Sequence, residues 1–157
     1  MDEARRLREI IEKYGDSLFR IGVMILGNKQ DAEDVLQEVF IKYMQKAPKF
    51  VDEAHKKAWL FRCTHNLCKD LLRFRKRHKQ ENIDALQLEY MMEEDKVVLE
   101  EMMALASKYK EVLLLYYLEG YKISEIATMM KSSPNTIRKR LERGRKLLRN
   151  NLKEQLL

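Results

Sequence analysis

Proline occurs twice and glycine five times in 157 residues. These residues supply most tight turns and strand punctuation, so their scarcity argues against a protein of many short strands and for an all-helical one. The two cysteines, Cys63 and Cys68, are too few for a disulfide framework. They fall five apart in one predicted helix, do not share a face, and read as reduced thiols. No apolar run approaches a membrane span and no signal-peptide pattern is visible, so the expectation is a cytoplasmic protein without membrane insertion. There is no glycine-rich phosphate loop, nucleophile elbow or HExxH. Cys63, His65 and Cys68 do not converge on one point along a helix, and no second cluster completes a metal site. The sequence therefore leads us to expect no catalytic residues, metal, cofactor or small-molecule substrate.

What is present is charge and apolar periodicity. Charged residues make up 36% of the chain and hydrophobic residues 45%, with a net charge of +6 and a pI near 9.2. Residues 1–78 carry about +5, residues 79–107 about −6 and residues 108–157 about +7. Two basic blocks flanking an acidic middle suggest contact with a polyanion at both ends.

The segment Tyr121 to Leu148 reads as two short helices around a tight turn. Ile123, Ile126, Ala127 and Met130 recur at helical spacing, and Lys131-Ser132-Ser133 interrupts them. Ser133 suits an N-cap and Pro134 the first helical position. Ile137, Leu141, Gly144 and Leu148 make a second apolar face, opposite Asn135, Arg138, Lys139, Glu142, Arg143 and Lys146. This is the helix-turn-helix layout, whose second helix enters the major groove. The plainer alternative is an αα-hairpin with a solvated basic face.

Three longer helices are predicted upstream. The first runs from about Glu3 to Ile25, with Leu7, Ile11, Tyr14, Leu18, Ile21 and Ile25 on one face and a glycine stop at Gly27. The second, about Gln30 to Gln45, buries Ala32, Val35, Leu36, Val39, Phe40 and Tyr43. It turns Asp34, Gln37, Glu38 and Lys42 outward, as a partner surface or simply a solvated face. The third, about Asp52 to Arg77, lines up Trp59, Arg62, Asn66, Lys69 and Arg73 at spacings of three and four. An aromatic beside an amide and a row of cations suits an unstacked base and its phosphates. Trp59 alone could equally be core. Leu60, Thr64, Leu67, Leu71 and Phe74 form the expected core face, and five cations follow within residues 73–79. Together the readings give two small helical domains: an N-terminal three-to-four-helix bundle over residues 1–78 and a helix-turn-helix domain over 95–157. An acidic linker over 79–94 joins them. Val98, Met102, Leu105, Tyr109, Val112 and Leu115 to Tyr117 are the expected core at the start of the second domain.

Three segments carry a resemblance, in the same order and at the same separations. LFRIGVMILGNKQDAEDVLQEVFIKYM, KAWLFRCTHNLCKDLLRFRKR and KYKEVLLLYYLEGYKISEIATMMKSSPNTIRKRLERGRKLLR resemble the core-binding, promoter-melting and promoter-reading parts of extracytoplasmic-function sigma factors of bacterial RNA polymerase. The resemblance covers nearly the whole chain. It implies core RNA polymerase and promoter DNA as partners, with an anti-sigma factor as a further partner of that class. Asp34, Gln37 and Glu38 match the segment that grips the polymerase. Asn66 matches the position that helps hold a base flipped from the minus-ten element, with Trp59, Arg62, Lys69 and Arg73 in the same helix. Ser133, Asn135, Thr136, Arg138, Lys139 and Arg143 match the stretch used on the minus-thirty-five element. The chain departs from the family at Lys131-Ser132, where the turn often has glycine and an apolar residue, and at Pro134-Asn135, which leaves the bases read undetermined. A free-standing helix-turn-helix regulator, with an N-terminal bundle for dimerisation or sensing, is the alternative. It would expose apolar surface on the second helix, whereas docking on polymerase needs Asp34, Gln37 and Glu38 exposed.

Overall fold

The computed structural model describes residues 2–78 and 93–156, and among them every regular element is a helix. The chain forms two compact units, Met1–Leu86 and Gln87–Leu157. Residues 79–92 of the expected linker lie outside the described residues. Glu93 and Glu94, expected in that linker, already belong to a helix.

In the first unit α1 (Asp2–Leu26), α2 (Lys29–Lys46) and α3 (Glu53–His78) all pack on one another. Gly27, at φ 72°, ends α1 with its N–H on the Val23 carbonyl at 2.6 Å. A side chain is rarely accommodated at that φ, which is why glycine stands there. Asn28 then caps α2, its Oδ1 accepting from the Asp31 N–H at 3.1 Å. Asp52 caps α3 through the His55 N–H at 2.8 Å. Gly22 lets α1 and α2 approach closely, because a Cβ there would sit 3.2 Å from that of Ala32. The core is Ile10, Tyr14, Leu18, Ile21 and Ile25 against Ala32, Val35 and Val39, closed by Leu60, Phe61, Thr64 and Cys68.

Periodicity misplaced single positions on two faces here. Ile11, expected inside, is 43% exposed, and Ile10 takes its place. Tyr14, Leu18, Ile21 and Ile25 of the expected stripe are buried, so the covered side of α1 departs from it in the first turns alone. Phe74, also expected in the core, is 45% exposed, and Leu67 and Leu71 are half-buried. Phe61, Cys63 and Cys68 are buried instead, because α3 meets α1 and α2 on a broad face that runs over residues 58–68.

The second unit contains α4 (Glu93–Ala104), α5 (Ser107–Leu113), a π-helical turn (Leu114–Leu118), α6 (Ile123–Met129) and α7 (Pro134–Leu156). Helix α7 packs on α4, α5 and α6. Val112, Leu113, Leu114 and Leu115 are almost fully buried with Ile126, Ile137 and Leu141. Tyr117, expected in this core, is 52% exposed: the wider π turn rotates it outward, where Arg145 Nη1 donates to its hydroxyl at 2.8 Å. Val98 is likewise exposed. Met129 is buried in place of Met130, which is the residue capping α6.

Candidate nucleic-acid interface

The turn between α6 and α7 is closed on both sides by local hydrogen bonds. Lys131 N–H donates to the Thr128 carbonyl at 3.3 Å and Ser132 N–H to that of Ala127 at 2.9 Å. This is the two-bond Schellman closure, with Lys131 in the left-handed position at φ 52° where glycine is usual. Ser133 starts α7: its Oγ accepts from the Thr136 N–H at 3.1 Å, and its carbonyl from the Ile137 N–H at 3.1 Å. The Ser133 and Thr136 hydroxyls lie 2.8 Å apart. Both expected DNA-contacting residues are therefore engaged in building the cap.

Ile137, Leu141 and Gly144 face inward, and Asn135, Arg138, Lys139, Glu142, Arg143 and Lys146 are all exposed. Arg138 Nη1 donates to Asn135 Oδ1 at 3.1 Å. Gly144 brings α7 against α5, since a Cβ there would meet Leu113 Cδ1 at 3.2 Å and Tyr109 Cβ at 3.3 Å. Asn135, Thr136, Arg138, Lys139 and Arg143 thus come together on one capped helix whose inner face is pinned by the core.

In the first unit Asn66 and Arg73 are exposed, while Trp59, Arg62 and Lys69 are half-buried along the same stripe of α3. Trp59 is neither free platform nor plain core. Its ring stands edge-on to Phe50 at 5.8 Å and to Tyr43 at 6.2 Å, and Phe50 also meets His55 at 5.2 Å. Residues 47–52, which join α2 to α3, thereby add Phe50 to the aromatic end of the stripe. Sequence reading missed Phe50 because the residue stands outside any helical period. The basic end of α3 is also less uniform than its composition. Arg75 is paired with Asp31 at the start of α2, both side chains being about one-fifth exposed. Arg73, by contrast, pairs among the described residues with Asp70 on its own helix, at 3.5 Å, and is open to solvent. Burial pushes the Cys63 thiol up from its ordinary value, against the opposing pull of Lys42 and Arg62.

On α2, Asp34, Gln37 and Glu38 are exposed, and Gln30 Nε2 donates to Asp34 Oδ1 at 3.2 Å. Ile41 and Met44, each 52% exposed, extend this outer face by another turn. They were not singled out from sequence, although Ile41 follows Glu38 at the helical spacing of three. Helix α2 thus presents both the polar stripe expected for docking on polymerase and the apolar surface expected of a free-standing regulator, and its exposure does not separate the two.

Residues 10–78 match Sigma-70 region 2, and residues 96–148 match Sigma-70, region 4. The chain therefore belongs to the sigma-70 family, with one region on each helical unit. Among its relatives is the probable RNA polymerase sigma factor RfaY of Xanthomonas campestris pv. campestris. It is 31% identical over 158 residues, covering 91% of this chain and 39% of that protein. The ECF RNA polymerase sigma factor SigW of Bacillus subtilis is 28% identical over 167 residues, covering 93% of this chain and 88% of that protein. Within the family the chain is a sigma factor of the extracytoplasmic-function class. Its fold is that of the sigma factor RpoE solved with the anti-sigma factor NepR from Bartonella quintana. The TM-score is 0.78 at 20% identity, over 95% of this chain and 98% of that one.

Proposed function

We propose that the protein binds core RNA polymerase and directs it to promoters, with residues 1–78 docking on polymerase and opening the minus-ten element and residues 95–157 reading the minus-thirty-five element. Its mode of action is regulatory rather than enzymatic. Among the described residues no helix is long and apolar enough to cross a membrane. The observation that carries the reading is the pairing of two surfaces with the two matched regions. Region 2 bears an exposed Asp34, Gln37 and Glu38 stripe, and region 4 bears a capped, core-pinned cationic helix.

In this reading Asp34, Gln37 and Glu38 supply the polar contacts to polymerase, and Ile41 and Met44 the apolar ones. Desolvated apolar anchors ringed by polar groups make such contacts strong. Asn66, with the Trp59, Tyr43 and Phe50 rings at one end of its helix, meets the separated strand. Arg62, Lys69 and Arg73 follow its phosphates. An anti-sigma factor, the kind of partner with which RpoE was solved, would on this reading act by covering one of these faces. The test is run-off transcription with core polymerase on a random promoter library, alongside a binding titration of the Asp34→Lys/Glu38→Lys variant. Promoter-selective transcripts and at least a tenfold weaker core affinity are expected for wild type and variant respectively. Unchanged core affinity in a variant of normal helicity rules out this docking face.

A further inference from the structure

In the second unit a cleft of about 290 Å³ opens between the start of α5 and α7. It is lined by Lys108 and Tyr109 from α5 and by Thr136, Lys139, Arg140 and Arg143 from α7. None of its four cations forms an ion pair with a carboxylate among the described residues. Lys108 Nζ lies over the Tyr109 ring at 5.0 Å, which holds the ammonium beside the cleft. Four like charges around one opening repel one another until an anion enters, and an oxyanion with several acceptor oxygens matches such a fork of donors.

The position of the cleft on α7 indicates which anion. At about 100° per residue, Thr136, Lys139, Arg140 and Arg143 share one flank of the helix. Arg138 falls on the other flank, about 150° away, and Asn135, Glu142 and Lys146 form the crown between them. The crown lies opposite the buried Ile137, Leu141 and Gly144. A helix roughly 10–12 Å across in a major groove roughly 12 Å wide turns its crown to the base edges and its two flanks to the two sugar-phosphate walls.

We infer that the cleft seats a backbone phosphate of one promoter strand, held by Lys108 and Arg140 together with Lys139 and Arg143, while Arg138 meets the opposite strand. Lys108 and Tyr109 thereby extend the DNA contact beyond the helix-turn-helix. The inference rests on the reading that α7 enters duplex DNA.

Fluorescence anisotropy of the full chain on a short random-sequence duplex, from about 50 to about 200 mM salt, tests it. Lys108→Ala is the probe because Lys108 is exposed, and Arg138→Ala runs beside it as a gauge. Lys108→Ala should weaken duplex binding roughly three- to tenfold on every sequence and lower the salt slope by about one, at an unchanged melting temperature. Wild-type affinity and slope in Lys108→Ala, with Arg138→Ala impaired, overturns the cleft and leaves the recognition helix standing. No duplex binding by the wild type, or wild-type binding in both variants, overturns both readings. Competition with inorganic pyrophosphate separates the remaining source of the same chemistry. A Lys108→Ala chain that loses pyrophosphate binding but keeps the duplex makes this a free-anion site and overturns the proposal.

Discussion

Replacing Arg75 by Met removes a cation from the basic end of α3, yet its expected effect is on stability rather than on DNA. Arg75 is paired with Asp31, a residue 44 positions earlier, and the two side chains are 22% and 18% exposed. At an effective dielectric of about 20, contacting unit charges attract by about 4 kcal/mol before desolvation is subtracted. Breaking a fully buried pair costs about 3–5 kcal/mol because the partner charge is stranded. Here the stranded carboxylate sits in the first turn of α2, where the helix dipole returns about 0.5–1 kcal/mol, and one-fifth of its surface is wet. About 2 kcal/mol is therefore expected for Arg75→Met alone and a similar loss for Asp31→Asn. The double variant should lie well short of the sum, leaving a coupling of about 1–2 kcal/mol. Urea unfolding of the four proteins measures this directly. A second assay follows the salt dependence of promoter opening by the holoenzyme. Arg75→Met should leave its slope unchanged, because Asp31 already neutralises that charge, whereas Arg73→Ala should reduce it by about one. A coupling below about 0.5 kcal/mol, or a slope change in Arg75→Met equal to that in Arg73→Ala, would refute the assignment of Arg75 as an internal strut.

Two further substitutions test local chemistry. Glu53 accepts from the Tyr14 hydroxyl at 2.5 Å and pairs with Lys13 at 3.1 Å and Lys56 at 3.3 Å, joining α1 to α3. The Tyr14 hydroxyl first, then Lys13 and Lys56, draw its carboxyl down to about 2 from 4.5. A carboxyl lower in the folded state stabilises the fold above the unfolded value and ceases to do so as pH falls from 4.5 toward 2. The side chain is 59% exposed, so solvent limits the loss in Glu53→Gln to about 1 kcal/mol at neutral pH. Thermal melts of the two proteins should converge across that acid window; a gap that persists at its lower end contradicts the assignment. Lys131→Gly relieves a left-handed lysine and should stabilise the second unit by about 0.5–1 kcal/mol, the gain being trimmed by glycine's freer unfolded chain. Denaturation followed by circular dichroism checks this, and a less stable variant would mean that Lys131 makes a compensating contact.

Much of the architecture was legible in the residues because the rules that place helix ends act over a few positions. Ser133-Pro134 announces the start of α7 whatever surrounds it, since a hydroxyl three residues before an orphan N–H is a local device. Gly27 likewise marks the end of α1, and the outward cations of α7 follow from the inward Ile137, Leu141 and Gly144. Tertiary structure decided which stripe of a helix was covered and which charges were already spent. Ile10 rather than Ile11 lies inside because α2 and α3 approach α1 from that side. Tyr117 turns outward because a π turn widens the backbone beneath it. Phe50 joins Trp59, and Arg75 joins Asp31, through contacts that span loops and whole helices. The cleft holding Lys108 beside Arg140 belongs to the same group, for neither helix carries it alone. Periodicity and capping are properties of a segment, whereas burial, ion pairing and cleft formation depend on which distant segment arrives. The sequence by itself therefore determined the helices, their order and the family they belong to, and packing determined which side chains on their surfaces are exposed and which are buried or paired.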